Sequence, residues 1–141
     1  MEPILDLLNQ DIIKQCFSQE IDNETLLKVL LTVFEYAPNV FFVKDKKGRY
    51  VIVNKEFEKF VRLPMDKIIG KTDYDIMNEF DAKDCVASDQ PALEDPGKIH
   101  VSFEVERSSS GDIASYLSVN KQVTTTSVGE LLIGIVTKVA A

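Results

Sequence analysis

The chain has 141 residues, 45% of them hydrophobic and 28% charged, with a formal net charge of −7. Such a composition is globular rather than disordered, and it suffices for one domain with a real core plus a helical extension. The acidic surface repels phosphate backbones, so no nucleic-acid partner is expected. No apolar run approaches the roughly 20 residues of a bilayer span, and the acidic start MEPILDLLNQ lacks the basic flank of a signal peptide. No membrane partner and a cytoplasmic location are expected.

In chain order, Pro3 opens a stretch in which Ile4, Leu5, Leu8, Ile12 and Cys16 recur at helical spacing. A second helix starts near Asp22 or Asn23, both good N-caps, and stops before Pro38. Its apolar positions Leu26, Leu27, Leu30, Val33 and Phe34 form one wide stripe, which must cover either the chain's own core or a partner helix. Residues 1–37 are therefore read as a two-helix extension, and 38–141 as the main domain.

After Pro38 the pattern becomes NVFFVKD and RYVIVN, two short strands joined at Asp45-Lys46-Lys47-Gly48. Asp at the first position and Gly at the fourth suit a type I turn whose glycine takes positive φ. Both strands are apolar at nearly every position, so both faces of the hairpin are expected to be covered, one by the core and one by the N-terminal helix. Asn54 precedes KEFEKFV and is placed to cap that helix. Short helices follow at MDKII and DYDIM, then EFDAKDCVAS, which Pro91 is expected to end or kink.

The last third alternates. In IHVSFEVE, Ile99, Val101, Phe103 and Val105 share one face, with His100, Ser102, Glu104 and Glu106 on the other. SSSGD reads as a hairpin loop. IASYLSVNKQV follows, then a loop near Gly129 and the doubly apolar strand LLIGIVTKV, which suits the centre of a sheet.

This order of elements is specific, and two segments sharpen it. DKKGRYVIVN resembles the first hairpin of PAS domains, while IIGKTDYDIM with SDQPALEDPGK is similar to their middle section. SVNKQV and GELLIGIV resemble the paired closing strands, so the resemblance runs over roughly residues 35 to 139. It implies an α+β fold: a five-stranded antiparallel sheet with short helices on one face, enclosing a small pocket, and N-terminal amphipathic helices. It also implies homodimerisation through the stripe at Leu26, Leu27, Leu30, Val33 and Phe34, and an output domain C-terminal to the module. The Asp-Ile-Thr-like exit common in the family is lacking at VTKVAA.

Candidate chemistry is then weighed residue by residue. The pocket wall is expected to draw on Phe57, Phe60, Tyr74, Met77, Val86 and Phe103, residue types that also serve as plain core. Lys121 shares strand parity with Ile113, Leu117 and Val119, so it is expected to face the pocket and to pair with Asp73, Asp75 or a ligand carboxylate. Photoactive flavin is disfavoured, because TDYDIM stands where adduct-forming relatives carry their cysteine, and Cys85 lies in another helix. Haem is disfavoured because the single histidine, His100, shares parity with Ser102 and Glu104 and is expected to face solvent.

Cys16 and Cys85 show neither a zinc-site spacing nor a disulfide framework. No nucleophile–histidine pair, phosphate loop or metal cluster is found, so no catalysis is expected from the module itself. Two functions remain: a sensor that binds a small organic molecule and passes the signal on through dimer rearrangement, or a ligand-free module for dimerisation or docking.

Overall fold

The computed structural model describes residues 10–107 and 113–140. The expected helical positions Ile4, Leu5 and Leu8 and the loop SSSGD lie outside the described residues. The chain divides into two units, residues 1–35 and 36–141, each taken here by itself.

In the first unit, α1 (Gln10–Phe17) and α2 (Asn23–Tyr36) are joined by a short turn. The Gln10 side chain clamps that turn, donating to the Ile21 carbonyl at 3.2 Å and accepting from its N–H at 3.1 Å. Asp22 caps α2 as expected: its Oδ1 accepts from Thr25 N at 2.8 Å. Along α2, Leu27, Leu30 and Val33 are exposed, while Leu26 and Phe34 are half-buried.

The second unit is built on five antiparallel strands in the order β2-β1-β5-β4-β3. They are β1 (Val40–Asp45), β2 (Tyr50–Val53), β3 (Ile99–Arg107), β4 (Ile113–Thr125) and β5 (Gly129–Ala140). Between β2 and β3 run α3 (Lys55–Val61), a 3₁₀ turn at Met65–Lys67, α4 (Asp73–Ile76) and α5 (Glu79–Glu94). The doubly apolar β5 holds the centre of the sheet, as its pattern predicts.

The first hairpin forms as its turn chemistry dictates. Gly48 N donates to Asp45 O at 3.0 Å with Gly48 at φ 79°, and Asp45 Oδ1 accepts from the backbone of Lys47 and Arg49. Asn54 is fully buried and does more than cap α3. Its Oδ1 accepts from Phe57 N and Phe41 N, both at 3.1 Å, and its Nδ2 donates to Asn39 O at 2.9 Å, stitching helix to sheet. Inside, Val40, Phe42, Tyr50, Val53, Phe57 and Ile68 form the core, with the rings of Phe42, Tyr50 and Phe57 packed edge-on and tilted at 4.8–6.2 Å. Phe42 lies across Gly134 of β5 so closely that a Cβ there would meet the ring at 2.1 Å.

Three expectations need correction. β1 is buried at Val40, Phe42, Val43 and Lys44, but Val51 and Ile52 of β2 are exposed, so the hairpin is not covered on both faces throughout. Of the two outcomes expected of Pro91, an end or a kink, the end does not occur: α5 continues to Glu94. Proline offers no N–H to the carbonyl of Ala87 four residues back, and both residues lie on the exposed side of the helix, where solvent can reach that carbonyl.

The third correction is the largest. The apolar residues of β3 face outward: Ile99, Val101, Phe103 and Val105 are 65%, 61%, 64% and 60% exposed. The inner face carries His100, Ser102 and Glu104, paired across β4 with Asn120, Ser118 and Tyr116. Strand periodicity sorts residues into two faces, but it does not say which face is inside when the interior is polar.

Candidate functional site

The interior between the sheet and α5 contains a buried cation. Lys44 follows Val40 and Phe42 at every second position of β1, so the pleat turns its side chain inward with theirs. It is 2% exposed. Its Nζ donates to Asp73 Oδ2 at 2.6 Å and to Asp89 Oδ2 at 2.5 Å, and lies 4.9 Å from the Tyr50 ring centroid and 5.2 Å from that of Phe42. Tyr50 completes the network by donating its hydroxyl to Asp73 Oδ1. Two helices supply the carboxylates: α4 presents Asp73 at its first position, and α5 presents Asp89 from its third turn.

Burial dominates the electrostatics. It works against the charge of Lys44, but Asp89 and Asp73 more than offset it, and the ammonium titrates above the ordinary lysine value. Burial pushes the Asp89 carboxyl up to about 6 despite the opposing Lys44 charge. Burial, with Asp73 beside it, raises Tyr50 well above the ordinary phenol value. The Cys85 thiol is raised by burial and by Asp73, so it stays protonated and donates to Met77 Sδ at 3.7 Å. It has no thiolate character to support redox or nucleophilic chemistry.

A cavity opens beside this network. One wall is aromatic and apolar, with Phe42, Phe57, Phe60 and Val136; the other is polar, with Asp89, Glu104, Ser118 and Asn120. The free space is small: about 30 Å³ is open to the centres of water-sized molecules, room for about two of them. Ser118 Oγ donates to Glu104 Oε1 at 3.3 Å, Asn120 Nδ2 donates to Ser88 O at 3.2 Å, and Ser88 and Ser102 share a 2.7 Å hydroxyl contact.

Phe57, Phe60 and Met77, expected in the wall, do line this cavity. Tyr74 is 52% exposed, Val86 points outward from α5, and Phe103 lies on the outer face of β3; none of the three lines it. Lys121 is exposed, with its neighbours Asn120 and Gln122 facing in instead. Asp73 does hold a buried lysine, but that lysine is Lys44.

Asp75 is exposed and serves as a cap, accepting from Thr72 N at 2.9 Å and from its hydroxyl at 3.1 Å; these bonds hold its carboxyl below the usual range. His100 does not face open solvent. Its Nε2 is buried and lies 3.5 Å from Asp95 Oδ2, outside the cavity wall. Lys44 and Asp89 were missed at the sequence level. Alternation within VFFVKD carried the signal for Lys44, whereas Asp89 carried none, since α5 has no clear apolar stripe to orient it. Among the described residues no cluster of His, Cys, Asp and Glu is arranged to hold a metal ion, and no helix is long and apolar enough to cross a membrane.

Comparison with known proteins agrees with this architecture. The PAS domain of an HTR-like protein from Haloarcula marismortui superposes with a TM-score of 0.61 at 18% identity, over 82% of this chain and 93% of that one. The Vibrio cholerae VqmA–ligand–DNA complex gives a TM-score of 0.66 at 15% identity, over 79% of this chain and 50% of VqmA. In sequence, 42 residues are 40% identical to the methanogenesis regulatory histidine kinase FilI of Methanothrix harundinacea strain 6Ac. That segment is 30% of this chain and 5% of the kinase. Residues 34–126 match the family described as PAS fold, two thirds of the chain, and this protein therefore belongs to the PAS family, whose members typically serve in signalling proteins.

Proposed function

We propose that the chain is the sensor module of a signalling protein, taking a small organic molecule into the cavity beside Lys44. The observation that carries this reading is the buried Lys44–Asp73–Asp89–Tyr50 network on the rim of a partly polar cavity. A core optimised only for stability has little use for it, because well-packed apolar residues commonly match or exceed a buried ion pair. Binding next to such a network shifts the balance among Lys44, α4 and α5, and a rearranged helix is something an output domain can read. The similarity to a regulatory histidine kinase and to VqmA, solved in complex with a ligand and DNA, supports the assignment. Catalysis belongs, in this reading, to an output domain, and the module works in the cytoplasm.

The exposed stripe at Leu27, Leu30 and Val33, flanked by Leu26 and Phe34, supports homodimerisation through α2. The second reading, a ligand-free module used for dimerisation or docking, is favoured by the cavity's small free volume. Native mass spectrometry of the purified chain separates the two. A dimer carrying a small-molecule adduct, or one that gains an adduct from a metabolite extract, is expected. A dimer that stays empty, with no thermal shift across a metabolite library, would overturn the sensor reading.

A further inference from the structure

The polar wall of the cavity is unbalanced. Among its described groups one ammonium, Lys44, is already committed to two carboxylates at 2.5 and 2.6 Å. Glu104 adds a third carboxylate, whose Oε1 receives only a 3.3 Å bond from Ser118. Asn120 is 2% exposed, and its donation to Ser88 O fixes which end of the amide is which. Its Oδ1 is buried and accepts no hydrogen bond from the described residues. A buried acceptor left unpaired is destabilising, and a guest that donates to it relieves that cost. The unused hydrogen-bonding capacity of the wall is thus acceptor capacity with negative charge beside it.

We propose that the cavity is selective for a small hydrogen-bond donor, a cationic amine or amidine, held by Asn120 Oδ1 and the Glu104 carboxylate. This deepens the sensor reading and rests on it. An anionic guest would meet Glu104 and Asp89 with no uncommitted cation among the described wall residues. Free space for about two water-sized groups admits a guest of about four non-hydrogen atoms with modest movement of the wall. The open groove along Asp84, Ala87 and Ser102, between α5 and β3, shares Ser88 and Glu104 with the cavity and would be the guest's way in. The 2.7 Å Ser88–Ser102 contact closes that junction and is broken as the guest passes.

Acetamidine, acetamide and acetate share one planar shape and differ in charge and donors, so they isolate the chemistry. Each is titrated into the nitrogen-15-labelled chain, with binding read from the amide and side-chain resonances of Ser88, Glu104, Ser118 and Asn120. Acetamidine is expected to saturate these shifts and to bind at least tenfold tighter than acetate. Glu104→Gln, nearly isosteric, is expected to reduce that preference about tenfold while preserving the dispersed spectrum. Asn120→Leu serves as a second variant and is expected to abolish binding. Acetate binding as well as acetamidine would overturn the donor selectivity, acetamide binding as well as acetamidine would overturn the selectivity for a cation, and either result leaves the sensor reading standing. Absence of binding by all three overturns the selectivity as well; a further absence of shifts with neutral apolar fragments would remove the sensor reading itself.

Discussion

The two ends of the sheet face the same interior with opposite chemistry. On β1 and β2 the inner positions are Val40, Phe42, Tyr50 and Val53, one packed aromatic cluster. On β3 and β4 they are Ser102, Glu104, Ser118 and Asn120, with the apolar residues of β3 turned outward. The first end supplies cohesion, and the second supplies recognition in the proposed sensor reading. Lys44 is the exception that joins them, a cation rooted in the apolar end and reaching the carboxylates of α4 and α5. A fold can hold such a charge only where the surrounding groups satisfy it fully.

The sharpest way to break this comparison is to delete the joining charge. Lys44→Ala leaves Asp73 and Asp89 buried without their cation and is expected to cost about 3–5 kcal/mol in urea denaturation. Lys121→Ala, on the exposed side of β4, is expected to change stability by less than about 0.5 kcal/mol. Equal effects would return the buried lysine to the second position.

Acid–base behaviour gives the next largest effect. Asp89 titrates near 6 in the folded chain and in the ordinary carboxylate range, near 3.8, when unfolded. The native state therefore holds the extra proton between those values. Stability from this group is complete below pH 4 and is lost as the pH rises through about 6, by at most about 3 kcal/mol. The stability of Asp89→Asn is expected to vary less with pH across 4 to 6.5 than that of the parent. A steeper profile in the variant would reverse the assignment.

A smaller effect probes the apolar end. Gly134→Ala drives a methyl group into the Phe42 ring, and the ring must move, at an expected cost of about 1–3 kcal/mol. Phe103→Thr, at a position expected in the pocket wall, is expected to cost under about 1 kcal/mol because it lies on the outer face. A loss comparable to core truncation would place Phe103 inside after all.

How much of this was legible in the sequence follows the same division. The turn at Asp45–Gly48, the Asn54 cap and the five-strand order rest on local chemistry and motif order, and those are written residue by residue. Phe57 and Phe60 were found by residue type, as large aromatics on the helix that follows the first hairpin. The polar end was misread. In β3 and β4 the alternation is clear but its sign is not, since a polar interior reverses the rule that apolar residues point inward. Lys44 was hidden for a related reason: VFFVKD reads as uniformly apolar until the pleat is followed from Val40 through Phe42 to Lys44. Asp89 depends on where α5 lands on the sheet, a tertiary fact.

The account stands on a buried, doubly paired Lys44, which can be observed directly. In nitrogen-15 NMR of the lysine side chains near neutral pH, exposed ammonium groups exchange with water too fast to be seen, whereas one held by two carboxylates away from solvent is protected. One protected ammonium resonance is expected, lost in Lys44→Arg and retained in Lys121→Arg. A resonance retained in Lys44→Arg and lost in Lys121→Arg, or no protected ammonium at all, would contradict it.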